Sequence, residues 1–284
     1  MNNLSNIVAE TGLHVDHIER VHGGDINEAY CLITATEKFF IKVNNNAAYP
    51  LMFEKEAHGL ELLRKNSTII VPKTIKQGSL GNRQYLLLEW LEKGSPQKIM
   101  WEKFGGGLAL MHQQPQAFFG LDEDNYIGSR SQANQPSGDW QTFYTEFRIM
   151  PLVRSLCHSQ VYSLDDVKKA ASLCNKFEKI FPKEPPSLLH GDLWGGNYLI
   201  HSSGHAAIYD PAVYFGHREM DIGMTKLFGG FDQRFYAAYH EIYALEKGWE
   251  ERLPLTQLYP LLVHAVLFGG HYSSEAMEII KHFA

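Results

Sequence analysis

Residues 188–200, LLHGDLWGGNYLI, constrain this chain more than any other stretch. His190, Asp192, Trp194 and Asn197 crowd into eight residues between two apolar, strand-like runs. A loop clamped at both ends is a rigid mount for side chains. Beyond it, AAIYDPAVYFG reads as a strand ending at Asp210. Asp192, Asn197 and Asp210 are therefore expected on or beside one hairpin-like unit. Two carboxylates and a neutral amide suit Mg2+, which takes oxygen ligands and keeps several waters. One acid is then left to orient or deprotonate a hydroxyl. A bare H-x-D string is common by chance and often just a turn. H-G-D-x4-N followed by x12-D between apolar strands is not.

The first 90 residues read as a small α+β unit. AYCLI and KFFIKV are β-rich runs joined by the polar TATE, a hairpin signal. A helix follows, with Phe53, Ala57, Leu60 and Leu63 at helical spacing, although Gly59 costs it about 1 kcal/mol against alanine. VPKTIKQG and RQYLLLEWL supply two further strands. EKGSP at 92–96 is the candidate linker. Beyond it the pattern is mostly helical. Three consecutive glycines, 105–107, mark either a close approach of another backbone or a helix break. DEDNYIGSRSQANQPSGD reads as a long polar loop, and the C-terminal helix is expected to break at Pro260 and at Gly269–Gly270.

The H-G-D-x4-N…D pattern resembles the catalytic loop and metal-binding aspartate of protein kinases, with Gly191 where those have arginine. HGGDINEAY at 22–30 puts a glycine turn before a strand, where a kinase loop would cover phosphates. It is not a P-loop, because no G-K-[ST] follows. Lys42 alternates with Ile41 and Val43, so it faces away from them. Such a lysine is commonly a solvated edge residue, but Glu56 on the following helix can reach it. Glu54 and Glu61 are rivals: Glu54 faces elsewhere and Glu61 lies further along. LLLEWLE resembles the segment joining two kinase lobes, where backbone groups of Glu89 and Leu91 could read adenine.

More widely, the chain resembles the fructosamine kinase (ketosamine 3-kinase) family within the aminoglycoside phosphotransferase-like kinases. The residues that carry the likeness are GGDINEAY, FFIKVN, FEKEAHGLELL, LALMH, DNYIGS, DW-x-x-FY, LLHGDLWGGN and YDPAVYFGHREMDIGM-x-KLFGGF. The implied fold is α+β and bilobal, protein-kinase-like. A small antiparallel-sheet N-lobe with one helix would occupy 1–91, and a mostly helical C-lobe 92–284. The implied reaction is transfer of the ATP γ-phosphate to the 3-hydroxyl of ketoamines such as fructosamine, ribulosamine and erythrulosamine adducts, which serves deglycation. Carried over by position, Asp192 is the catalytic base, and Asn197 and Asp210 hold Mg2+. Lys42 meets the α- and β-phosphates, held by Glu56, and Gly23, Gly24 and Asn27 lie over the phosphates. Trp194, two residues past the base, would stack on the acceptor. A core tryptophan packing the loop is the plainer alternative. His217 and Arg218 are further substrate candidates. His190 and Asp221 are expected to brace the loop. Asp25 departs from the small residues common after the two glycines, since a carboxylate beside triphosphate repels it.

Bulk properties exclude other classes. The net charge is −6, which gives a polynucleotide no electrostatic support. Three cysteines, Cys31, Cys157 and Cys174, form no C-x-x-C pair, so neither a disulfide framework nor a zinc ribbon is expected. No apolar run approaches the roughly 20 residues of a spanning helix. A cytoplasmic location is expected, with no membrane partner. The competing functions are a kinase for another hydroxylated amine, aminoglycoside or choline, and a nucleotide-binding pseudokinase. The intact set Lys42, Asp192, Asn197 and Asp210 argues against the latter.

Overall fold

The computed structural model describes residues 3–21 and 27–284. The elements begin with α1 (Asn3–Thr11), β1 (His17–Val21), β2 (Glu28–Ile33), β3 (Lys38–Asn45), α2 (Met52–Asn66), β4 (Thr74–Leu80) and β5 (Arg83–Glu89). They continue with α3 (Met100–His112), β6 (Asn125–Ile127), β7 (Arg130–Gln132), α4 (Trp140–Tyr144), a π-helical turn (Thr145–Ile149), α5 (Met150–His158), α6 (Leu164–Cys174) and α7 (Phe177–Ile180). The last are β8 (Ser187–Leu189), β9 (Tyr198–Ile200), β10 (Ala206–Ile208), β11 (Tyr214–Gly216), α8 (Glu219–Leu227), α9 (Gln233–Ile242), α10 (Trp249–Phe268) and α11 (His271–Phe283). Two compact units result. One is Met1–Met100 with Tyr198–Pro211, and the other is Trp101–Asn197 with Ala212–Ala284.

In the first unit, β1 to β5 form an antiparallel sheet in the order β1-β2-β3-β5-β4. Period-two alternation on β3 sends Phe39, Ile41 and Val43 into a core with Ile7, Val8, Leu32, Tyr85 and Leu87. Each fully buried aliphatic there contributes about 1.5–3 kcal/mol. Lys42 and Asn44 project from the opposite face. α2 packs against β4 and β5, burying Phe53, Ala57, Leu60 and Leu63 as its spacing predicts, and it runs unbroken through Gly59. The unit holds two elements beyond those expected. α1 adds a second helix, placing Ile7 and Val8 in the core, and β1 adds a polar edge strand. Both are short and weakly patterned, so their signal is mostly tertiary. The 92–96 break lies within this unit: Gly94 N donates to Ile200 O (2.9 Å) and Ser202 N to Glu92 O (2.7 Å).

The second unit is largely helical around a core that includes Phe143, Tyr144, Leu173, Phe177, Leu189, Leu258 and Ile280. α3 is continuous through its glycines. A Cβ at Gly105 would collide with Phe235 O on α9, so the close-approach reading of that run holds. The expected break at Pro260 does not occur. α10 runs through Pro254 and Pro260 to Phe268, because burial of Pro260 among its neighbours outweighs one lost hydrogen bond. The helix ends only at Gly269 and Gly270, both in the left-handed region. The polar stretch at 122–139 is not simply a loop: it contains the β6–β7 hairpin. Among the described residues, no helix is long and apolar enough to cross a membrane.

Candidate active site

Lys42 lies opposite Ala29 and Leu86 in the sheet and is buried. Its Nζ donates to Glu56 Oε1 (2.8 Å) and Asp210 Oδ1 (2.5 Å). Burial pushes the pKa of its ammonium down. The Asp210 and Glu56 carboxylates outweigh it and hold the Lys42 pKa above its ordinary value. Glu56, not Glu54 or Glu61, is therefore the helix partner. Glu61 instead pairs with Lys65 at 3.3 Å. Asp210 ends the β9–β10 hairpin at φ 55, a left-handed conformation that aspartate tolerates better than most residues. Its side chain is 43% exposed, so it is both tethered to Lys42 and open to a ligand.

The loop between β8 and β9 belongs to the second unit up to Asn197. Asn197 Nδ2 donates to the Asp192 carbonyl (2.8 Å) and to Asp192 Oδ2 (2.9 Å). Asp192 N donates to His190 Nδ1 (3.3 Å). Asp221, on α8, is fully buried beneath the loop. It accepts from His190 N (2.8 Å) and Gly191 N (2.9 Å), and lies 3.2 Å from His112 Nε2. Burial pushes the Asp221 pKa up, but the His112 ring and the backbone N–H donors overcome that and hold it below the usual carboxylate range. His112 Nδ1 meets the Tyr239 hydroxyl at 2.8 Å. His190 and Asp221 thus brace the loop, as their positions in the sequence suggest.

Gly191 has φ +81, and a Cβ there would overlap Ala212 O. The segment carrying that carbonyl is pinned, since Ala212 N donates to His190 O (2.9 Å). Gly191→Ala is expected to destabilise the protein by about 2–3 kcal/mol, combining left-handed strain with the overlap. A urea midpoint that does not move would contradict this geometry.

Trp194 is half-buried, its ring 5.5 Å from that of Phe228, edge to face. A side chain at Gly196 would collide with the indole, so Gly196 is there because the ring folds over it. Asn27 Oδ1 accepts from Asn44 Nδ2 (2.9 Å). Gly23 and Gly24, and Asp25 with them, lie outside the described residues. Glu89 ends β5, and its N–H donates to Lys73 O (2.9 Å); Leu91 is buried two residues on.

The substrate contact expected of His217 is not where the structure puts that residue. His217 is 1% exposed, packed on Trp140 and Phe181, with Nε2 3.3 Å from Pro182 O and 3.7 Å from Glu184. Burial lowers its pKa. A ring enclosed in this way packs the fold, and Arg218 beside it is buried too, donating to Glu184 Oε2 (2.8 Å) and Oε1 (2.7 Å).

Several residues that hold the site in place carried no sequence signal of that role. Gln132 Nε2 donates to Ala212 O (3.2 Å) and Asn125 Nδ2 to Val213 O (2.7 Å), so the β6–β7 hairpin fixes the segment after Asp210. Arg148, on the π-helical turn, is fully buried. It donates to Asn134 Oδ1 (2.6 Å) and its guanidinium lies 4.2 Å from the Tyr214 ring centroid. His112, beside Asp221, could have been suspected, as a polar residue ending an apolar helix.

A family model described as fructosamine kinase matches residues 1–284. A Synechocystis protein named a probable ketoamine kinase is 39% identical over 264 residues, covering 92% of this chain and 88% of that protein. The chloroplast protein-ribulosamine 3-kinase of Arabidopsis thaliana is 37% identical over 274 residues, 95% of this chain and 83% of its own length. A crystal structure from Thermobifida fusca, provisionally named a fructosamine-3-kinase, matches with a TM-score of 0.88 and 33% identity over 99% of this chain and 98% of that one. An aminoglycoside phosphotransferase crystallised with AMP-PNP and hygromycin B gives a TM-score of 0.65 at 15% identity over 99% and 98%, a likeness of fold alone. The α+β, kinase-like class expected from the sequence is the class of these structures.

Proposed function

The chain belongs to the fructosamine kinase family, and from that membership we propose a Mg-ATP-dependent kinase that phosphorylates the 3-hydroxyl of ketoamines, in the service of deglycation. The observation that supports it most is the braced loop, in which Asn197 holds the Asp192 carboxylate and Asp221 holds the backbone beneath. Phosphoryl transfer asks a protein mainly for positioning and charge neutralisation. Asp192 orients the acceptor hydroxyl and takes its proton. Lys42, kept charged by Glu56 and Asp210, meets the α- and β-phosphates, and Asn27, with Gly23 and Gly24 of the same sequence motif, would serve the phosphates. The Glu89 N–H is committed to Lys73, so adenine would meet the Glu89 carbonyl and the Leu91 amide.

The donor chemistry fits Mg2+: Asn197 would offer its amide oxygen and Asp210 a partly exposed carboxylate. When bound, the ion would neutralise charge on the phosphates. Trp194 would stack on the acceptor, with its indole face toward sugar or ammonium.

The test is an ATP-consumption screen of ribulose-, erythrulose- and fructose-derived ketoamines beside aminoglycosides and choline. At least one ketoamine is expected to be turned over, with kcat/KM about 100-fold above the aminoglycosides and choline, since a site built around one acceptor's hydroxyls discriminates at that scale or better. Turnover confined to aminoglycosides or choline would overturn the assignment.

A further inference from the structure

We propose that an aromatic strip leading away from Trp194 binds the substituent on the acceptor's amine, and that the substituent it takes is apolar or aromatic. This rests on the reading of Trp194 as a neighbour of the acceptor. The ring centroids of Trp194 and Phe228 are 5.5 Å apart, those of Phe228 and His264 5.2 Å, and His264 lies 5.5 Å from Phe268 and 5.0 Å from Tyr272. These spacings are those of rings in contact, so the five side chains form one continuous lane. It lies on the surface: Phe228 is 36% exposed and Phe268 59%. Exposed aromatic rings in contact with one another commonly mark a binding surface.

The strip is built by two similar helix ends. Phe228 directly follows α8 and Phe268 is the last residue of α10. Each is followed by two glycines in the left-handed region, Gly229–Gly230 and Gly269–Gly270. Those pairs stop both helices just past a phenylalanine and leave the ring uncovered. Between them, His264 Nδ1 donates to Pro260 O (2.8 Å), which fixes the imidazole and puts its ring hydrogen on Nδ1.

The chemistry of a ketoamine says which part of it reaches the strip. The 3-hydroxyl must lie at Asp192. The nitrogen is on C1, two carbons away, so it and its substituent fall against the neighbouring surface, where Trp194 follows the base by two residues. A protonated secondary amine is attracted to the indole face. What hangs from it then continues onto Phe228, His264, Phe268 and Tyr272, which reward apolar or aromatic area.

The experiment uses two ketoamines of one sugar, made from methylamine and from benzylamine, in titration calorimetry and steady-state assays on the full chain. Wild type is expected to favour the benzylamine adduct by about 5- to 10-fold in Kd and KM. Phe228→Ala and Phe268→Ala should each shrink that preference at least about threefold, whereas Leu110→Ala, an exposed apolar residue on α3, should leave it. Equal affinity of wild type for both adducts, or a preference untouched by either phenylalanine variant, overturns the strip. Turnover of both adducts without preference would leave the ketoamine kinase standing and remove the strip. A phenylalanine-dependent binding preference without phosphorylation would do the reverse, and failure to bind either adduct would overturn both.

Discussion

Asp192→Ala is expected to abolish phosphoryl transfer, with kcat falling about 1000-fold or more, as loss of a positioned base does, while nucleotide affinity stays near wild type. The carboxylate is held for one task. Asn197 fixes Oδ2 at 2.9 Å and the residue's carbonyl at 2.8 Å, and its N–H is directed to His190 at 3.3 Å. None of those contacts involves Lys42 or Glu56, which the proposed function assigns to the nucleotide. Asp192→Asn separates chemistry from architecture: it keeps the shape and one acceptor oxygen but cannot take a proton. It should lose activity to a similar degree with an unchanged melting temperature. Turnover like wild type in either variant would remove Asp192 as the base.

Lys42→Met is expected to lower kcat/KM for ATP by about 100-fold or more, because a preorganised charge on the transferring phosphates is lost. It should also cost stability, about 3 kcal/mol, since Glu56 is left as a buried carboxylate without its cation. Methionine nearly fills the aliphatic space of lysine, so both losses report the ammonium. Glu56→Gln keeps an acceptor for Lys42 Nζ and should cost less on both readouts. A Lys42→Met enzyme with unchanged ATP kinetics would place the phosphates away from this lysine.

The readable parts of this protein are those whose signal is local. Alternation on β3 separated Lys42 from Ile41 and Val43. Helical spacing on α2 placed Phe53, Ala57, Leu60 and Leu63 inward and Glu56 within reach of the sheet. Apolar runs either side of 190–197 announced a clamped loop. α1 and β1 were missed because neither is long or strongly patterned, and each is held by the sheet it joins. The enclosure of the His217 ring is not legible in its motif, because Trp140 and Phe181 come from distant stretches of chain.

The residue types that can do chemistry, and their spacing along the strands and the loop, were settled by the sequence by itself. A carboxylate two residues before a tryptophan and five before an asparagine is a local fact, and local backbone geometry translates it directly. Only the tertiary structure decided what supports them: Asp221 with His112 under the loop, Gln132 and Asn125 on the segment after Asp210, Asp210 on Lys42, and the run of rings from Trp194 to Tyr272. The hydrogen-bonded partners among them lie 30 to 168 residues apart in the chain. Hydrogen bonds and ring contacts act over a few ångströms, so nothing in a linear order foretells them until the core has brought the segments together.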